Sequence, residues 1–205
     1  MNADAPAGTA QFSAVPAALR TKPQWLLWKS EPNGDKKPRK VPYYISGKRR
    51  MGVQGDADDR AALAPFEAVC EKLSRGHYTG IGFAFLPGDG LIGIDIDNAI
   101  DLETGSISAR ALAIIEACAS YTEYSVSRKG MHILVAHDFD DEKQATFKSN
   151  DIGLEVFCGR QYFTVSGCPF PGAPADVANI DARLLERLRK TVDQAKKQRS
   201  VAPVA

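Results

Sequence analysis

Four cysteines in 205 residues, Cys70, Cys118, Cys158 and Cys168, are few and widely scattered. No two form a Cys-x-x-Cys pair, and no Cys/His cluster has zinc spacing, which argues against a zinc module. Long apolar runs are missing as well. The Ala-, Pro- and Gly-rich stretch from Met1 to Pro23 lacks the continuous hydrophobic region of a signal peptide, and nothing downstream is long enough to span a membrane. The expectation is a cytoplasmic protein with reduced thiols. Charge of one sign is also lacking: 26 Lys and Arg oppose 25 Asp and Glu, so the chain has no global basic footprint of the kind many nucleic-acid binders carry. There are no repeats and no separate nucleotide-binding Rossmann fingerprint. A chain of this length buries one good core and fits a single domain with tails.

What is present begins with Gly80–Asp97, GIGFAFLPGDGLIGIDID. Two apolar runs joined by a turn predict two strands, the second ending in Asp95-Ile96-Asp97. Alternation puts Asp95 and Asp97 on one face, about 7 Å apart, with Ile96 turned into a core. Such carboxylates repel unless a cation lies between them. A hard divalent ion such as Mg2+ takes one or two carboxylates together with substrate phosphates. The pair therefore points to phosphoryl or nucleotidyl transfer; the plainer alternative is two solvated acids at a strand end.

Two further segments strengthen the first reading. Glu123–Val135, EYSVSRKGMHILV, predicts a strand to Ser127, a tight turn at Arg128-Lys129-Gly130 and a second strand opening near His132. Ser127, Lys129, Gly130 and His132 on one hairpin tip make a phosphate cradle. Backbone N–H groups around glycine approach closely, hydroxyl and imidazole donate, and lysine adds a point charge. A packed histidine beside a solvated turn is the alternative. Gly153–Gly167, GLEVFCGRQYFTVSG, sets Glu155 inside an otherwise apolar or aromatic strand. A lone buried carboxylate is costly, and a metal held by Asp95 and Asp97 would partner it, unless Glu155 faces solvent on a one-sided sheet. Arg160, in the following turn, suits a phosphate.

Upstream, Lys29, Lys36, Lys37, Arg39, Lys40, Lys48, Arg49 and Arg50 crowd one segment, opposed only by Glu31 and Asp35, with Tyr43 and Tyr44 among them. Cations interleaved with aromatics suit a nucleic-acid backbone with stacked bases; a solvated loop is the competing reading. Strands are expected at Trp25–Trp28, Val41–Ile45, Glu123–Ser127, His132–His137, Gly153–Cys158 and Tyr162–Ser166. Helices are expected at Asp58–Ser74, at Ser106–Ser120 with Ser106 as N-cap, and at Ile180–Gln198. Asp138–Asp151 reads as a polar connection, and a Pro-rich break follows Gly167. The order predicts an α+β fold: a loose leader over 1–22, a catalytic unit over 23–170, then the break and a basic helix over 171–205.

GIDID, SVSRKGMH and LEVFCGRQYFTVSG, in that order, resemble the catalytic motifs of the archaeo-eukaryotic primase superfamily. In particular they resemble the bifunctional primase/polymerase (prim-pol) domain at the N-terminus of many phage and plasmid replication proteins. PQWLLWK followed by KPRKVPY is similar to that family's opening, and the resemblance covers most of Gln24–Gly167. It implies an RRM-like catalytic β-sheet core with flanking helices. It implies a metal site of Asp95, Asp97 and Glu155 for Mg2+ or Mn2+, a triphosphate contact by His132 with Ser127, and a basic position of less defined role at Arg160. It implies single-stranded DNA as template, NTP or dNTP as substrate, and a replicative helicase in trans or in a longer parent chain. The chain departs from the family at Asn98, where relatives often carry another acid, and at Arg128-Lys129-Gly130, where they often have Gly-x-Gly. Other functions compatible with the residues are a DxD glycosyltransferase or phosphoesterase, and a nucleic-acid-binding replication module without catalysis.

Overall fold

The computed structural model describes residues 10–138 and 145–201. The start of the expected leader (1–9), part of the expected polar connection (139–144) and the last four residues lie outside them. In chain order come a short 3-10 turn (Ala10–Phe12), α1 (Ala17–Arg20), β1 (Trp25–Asn33), β2 (Lys36–Tyr43), α2 (Ala57–Ala62), α3 (Phe66–Ser74), β3 (Gly80–Phe85) and β4 (Leu91–Ile96). Then follow α4 (Ala109–Cys118), β5 (Thr122–Tyr124), β6 (Met131–Ala136), β7 (Phe147–Ser149), β8 (Leu154–Cys158), β9 (Gln161–Val165) and α5 (Ala182–Val201).

The strands form two antiparallel sheets, one ordered β2-β1-β3-β9 and one ordered β5-β6-β4-β8-β7. With the flanking helices this is an α+β fold. Period-2 alternation in β4 and β6 sorts the five-stranded sheet into two faces. Ile92, Ile94, Ile96, Met131, Ile133 and Val135 pack under α4 and α5. Leu91, Leu134 and Phe157 turn the other way, onto Phe83, Phe85 and Phe163 of the four-stranded sheet. Gly93 is what lets the sheets meet: a Cβ there would lie 2.5 Å from the Phe85 ring.

Several sequence expectations change. Residues 10–22 are no loose leader: Phe12, Val15 and Leu19 are each 1% exposed in the core between the sheets. The expected helix Asp58–Ser74 is two helices, because Pro65 bars the residue before it from helical geometry and Ala64 bridges Trp25 instead. The cap of α4 is Ser108, whose Oγ accepts the Ala111 N–H, not Ser106. The basic segment is the β1–β2 hairpin rather than a loop, with β2 on a sheet edge. Pro38 and its lysines suit an unpaired edge. β7 lies inside the expected polar connection. α5 is a core element, burying Leu184, Leu185, Leu188 and Val192 beneath the five-stranded sheet.

Candidate active site

One row crosses the five-stranded sheet. Glu123 pairs with His132, His132 with Asp95, Asp95 with Glu155 and Glu155 with Lys148, each directly cross-strand. Register thus puts five side chains from five strands on one face. It is the face turned toward the four-stranded sheet, since the next row behind it is Leu134–Gly93–Phe157. Side-chain exposure climbs along the row, from 1% and 4% for Glu123 and His132 to 24%, 28% and 56% for Asp95, Glu155 and Lys148. The row is walled at one end and open at the other.

The acids act on one another. Burial pushes the Asp95 carboxyl above its ordinary range; His132 and Lys40 pull it back, while Asp97 and Glu155 push it further up. His132 Nε2 lies 3.8 Å from Asp95 Oδ1, and Lys148 Nζ lies 3.5 Å from Glu155 Oε1. Asp97 does not continue the strand. β4 ends at Ile96, and Asp97 stands exposed in the turn, its N–H donating to the Gly153 carbonyl at 2.7 Å. Among the described residues no three His, Cys, Asp or Glu side chains converge closely enough to hold a metal ion as they stand. Asp97 and Glu155 add to the cost of charging Asp95, and carboxylate oxygens are the donor type that hard divalent ions take.

The Ser127–Gly130 turn sits against the same end of β4. Ser125 closes it from both sides: its N–H donates to the Gly130 carbonyl at 2.9 Å, and its Oγ accepts the Gly130 N–H at 3.2 Å. Gly130 is required, because a Cβ would lie 2.6 Å from the Ile96 carbonyl. Ser127 and Lys129 are exposed, and Ser127 Oγ lies 3.0 Å from Ser125 Oγ. With Trp28, Gly80, Arg128, Ser166 and Cys168, Ser127 lines a cleft of about 400 Å3. The structure therefore sets Asp95, Glu155 and His132 in one row, with Asp97 and Gly130 at the end of β4 and Ser127 and Lys129 in the turn beside it; the acids do not line the Ser127 cleft. Arg160 is elsewhere, exposed at the β8–β9 turn, five positions beyond Glu155.

The basic segment divides. Lys36, Lys37 and Arg39 are exposed on β2, as is Lys48 beyond it. Lys40 joins the acids: its Nζ donates to Thr164 Oγ1 at 3.2 Å, and burial pushes its pKa down against the pull of Asp95. Arg49 pairs with Glu31, whose carboxylate also accepts the Tyr43 hydroxyl, and Lys29 lies 5.2 Å over the Tyr43 ring. Arg50 must be withdrawn as a nucleic-acid contact. Its guanidinium is fully buried and grips Asp59 with two bonds of 2.7 Å. Burial alone would raise Asp59, but Arg50, the Gly55 N–H and the Tyr44 hydroxyl outweigh it and hold the carboxyl below its usual range. Burial and that same Asp59 bond push Tyr44 up to about 12.

Two members of the row, Glu123 and Lys148, escaped the sequence reading. Glu123 had a signal: a turn closed between Ser125 and Gly130 puts Tyr124 opposite Met131 and Glu123 opposite His132. Lys148 had none, because its strand is short and its partner is fixed only by the folded sheet.

No protein-family model matches the chain. It is similar to the DNA primase-polymerase of Nitratiruptor phage NrS-1, with 28% identity over 174 residues that cover 83% of this chain and 23% of the phage protein. The chain thus spans about a quarter of that relative's length. The similarity supports the prim-pol resemblance that the motifs carry.

Proposed function

Taking that similarity as premise, we propose that the chain is a metal-dependent, template-directed nucleotidyltransferase, a DNA primase, a DNA polymerase or both, serving phage, plasmid or other mobile-element replication. The observation that carries this reading is the cross-strand row, with Asp95 flanked by Glu155 and His132 and the Ser127–Gly130 turn beside it. The five-stranded antiparallel sheet backed by α4 and α5 supports its reading as an RRM-like catalytic core.

In this reading Asp95, Asp97 and Glu155 hold Mg2+ or Mn2+. The ion would neutralise the triphosphate and lower the barrier to 3′-oxygen attack on the α-phosphate. Ser127, Lys129 and the backbone around Gly130 hold phosphate oxygens, and His132 steadies the triphosphate. Lys40, kept close to the acids, offsets their charge before substrate arrives. Lys36, Lys37, Arg39 and Lys48 carry the single-stranded template, with NTP or dNTP as substrate and a helicase as partner. No helix among the described residues is long and apolar enough to cross a membrane, and a cytoplasmic setting fits four free thiols.

The test is incorporation of labelled nucleotides on single-stranded DNA with Mg2+ or Mn2+, with and without a primer. Asp95→Ala, Asp97→Ala and Glu155→Ala should each abolish it while the fold survives. His132→Ala should weaken nucleotide binding more than template binding. Normal incorporation by all three carboxylate variants would sink the site; DNA binding without incorporation by the wild type would favour a non-catalytic replication module.

A further inference from the structure

We infer that Glu123 is the positioning residue for His132: its carboxylate accepts a hydrogen bond from the imidazole Nδ1–H and so fixes the ring with Nε2 toward Asp95 and the open end of the row. The effect on nucleotide affinity rests on the proposed role of His132; the geometry of the pair does not.

Glu123 is anchored by uncharged donors. Its Oε1 accepts the Ser166 N–H at 2.9 Å, and its Oε2 accepts the Gly167 N–H at 3.1 Å and the Tyr121 hydroxyl at 3.0 Å. Tyr121 stays a donor, because burial and the neighbouring Glu123 push its phenol upward. These bonds hold the carboxylate in one orientation, with Oε1 3.5 Å from His132 Nδ1. That nitrogen is buried and has no hydrogen-bond partner. A buried polar nitrogen left unmade costs free energy, and a bare lone pair there would meet the buried Glu123 carboxylate at 3.5 Å, whereas a bare Nε2 meets the partly exposed Asp95 at 3.8 Å. A proton on Nδ1 turns both costs into a bond once the gap closes by a few tenths of an ångström.

Packing leaves the ring few other orientations. His132 stacks on Phe163, with centroids 4.5 Å apart and planes 20° from parallel, so Nε2 faces Asp95 Oδ1. The hydrogen bond at one imidazole nitrogen decides what the other can do, and for metal-ligating histidines loss of such a supporting partner typically costs about tenfold or more in affinity or activity, the scale expected here. Ser166 also lines the cleft beside Ser127. Glu123 therefore ties the end of β9, the β5–β6 hairpin and His132 into one support.

The experiment is nitrogen-15 NMR of the imidazoles in metal-free, nucleotide-free protein, with the pH raised until the His132 nitrogens stop shifting. The His132 signals are identified by their loss in His132→Ala. The expected result is a neutral ring carrying its proton on Nδ1. Glu123→Gln should move that proton toward Nε2 and raise the nucleotide Kd about tenfold or more. Asp59→Asn, outside the row, is the control for lost stability; it should lower Tm yet leave tautomer and affinity as they were. An Nε2-protonated ring in the wild type overturns the inference. So does a Glu123→Gln protein that, like Asp59→Asn, loses Tm alone. If Glu123→Gln does not fold, the wild-type tautomer decides. If His132→Ala leaves nucleotide affinity intact while the Nδ1 proton is found, the positioning stands and the role proposed for His132 falls.

Discussion

Asp95 stands in an environment that resists its own charge. Burial raises its carboxyl, and Asp97 and Glu155 add to the rise. Asp95→Asn should therefore raise Tm at neutral pH or leave it unchanged, while ending incorporation. A drop of several degrees in a thermal melt would mean that the carboxylate supports the fold. Asp59 is the opposite case. Its folded carboxyl is held below the ordinary value, so its contribution is fully present above the unfolded value of about 3.9. That contribution is lost as pH falls through the lower folded value. Asp59→Asn leaves the buried Arg50 unpaired and should cost about 3–5 kcal/mol at pH 7, with a smaller difference from the wild type at pH 2, both read from urea melts. At this scale the sequence was legible where a residue was out of character for its strand, as Asp95, His132 and Glu155 are. It was misleading at Arg50, because a run of cations does not reveal which one has a buried carboxylate beside it.

At the scale of elements, the type and place of most strands and helices were readable from alternation and helical spacing, while boundaries moved wherever a local feature outweighed the pattern. Pro65 split a helix whose apolar spacing ran through it, and Ser108 took the capping role predicted for Ser106. The β2 edge strand was expected only from Val41, because charged residues dominate its first half. Its exposed cations allow a test of template binding. Replacing Lys36, Lys37 and Arg39 with Ser should make the slope of log K against log salt shallower by up to about two units, at about 0.7 per phosphate contact on a single strand. Fluorescence anisotropy with single-stranded DNA measures it, and an unchanged slope would assign β2 to solvent alone. The seat of the Ser127–Gly130 turn on β4 is tested by Gly130→Ala. The added methyl meets the Ile96 carbonyl at 2.6 Å, backbone against backbone. The variant should lose about 1–3 kcal/mol and, with the turn displaced, bind nucleotide more weakly. Full retention of both would show that the turn gives way freely.

At the scale of the molecule, the row draws its five members from positions 95, 123, 132, 148 and 155, one on each strand of one sheet. No shorter stretch of chain contains it. β8, which bears Glu155, lies inside the sheet between β4 and β7 yet is among the last strands made, and the N–H groups that anchor Glu123 come later still, at Ser166 and Gly167. A nascent chain would therefore carry its acids and cations past the ribosome as separate, weakly interacting charges. It could not assemble the row before the five-stranded sheet was complete. The site has a birth time, and that time is late. Refolding from urea should show the same schedule: far-UV signal from strands and helices first, nucleotide binding only with the final phase. Binding that appeared ahead of that phase would mean that a fragment of the sheet suffices.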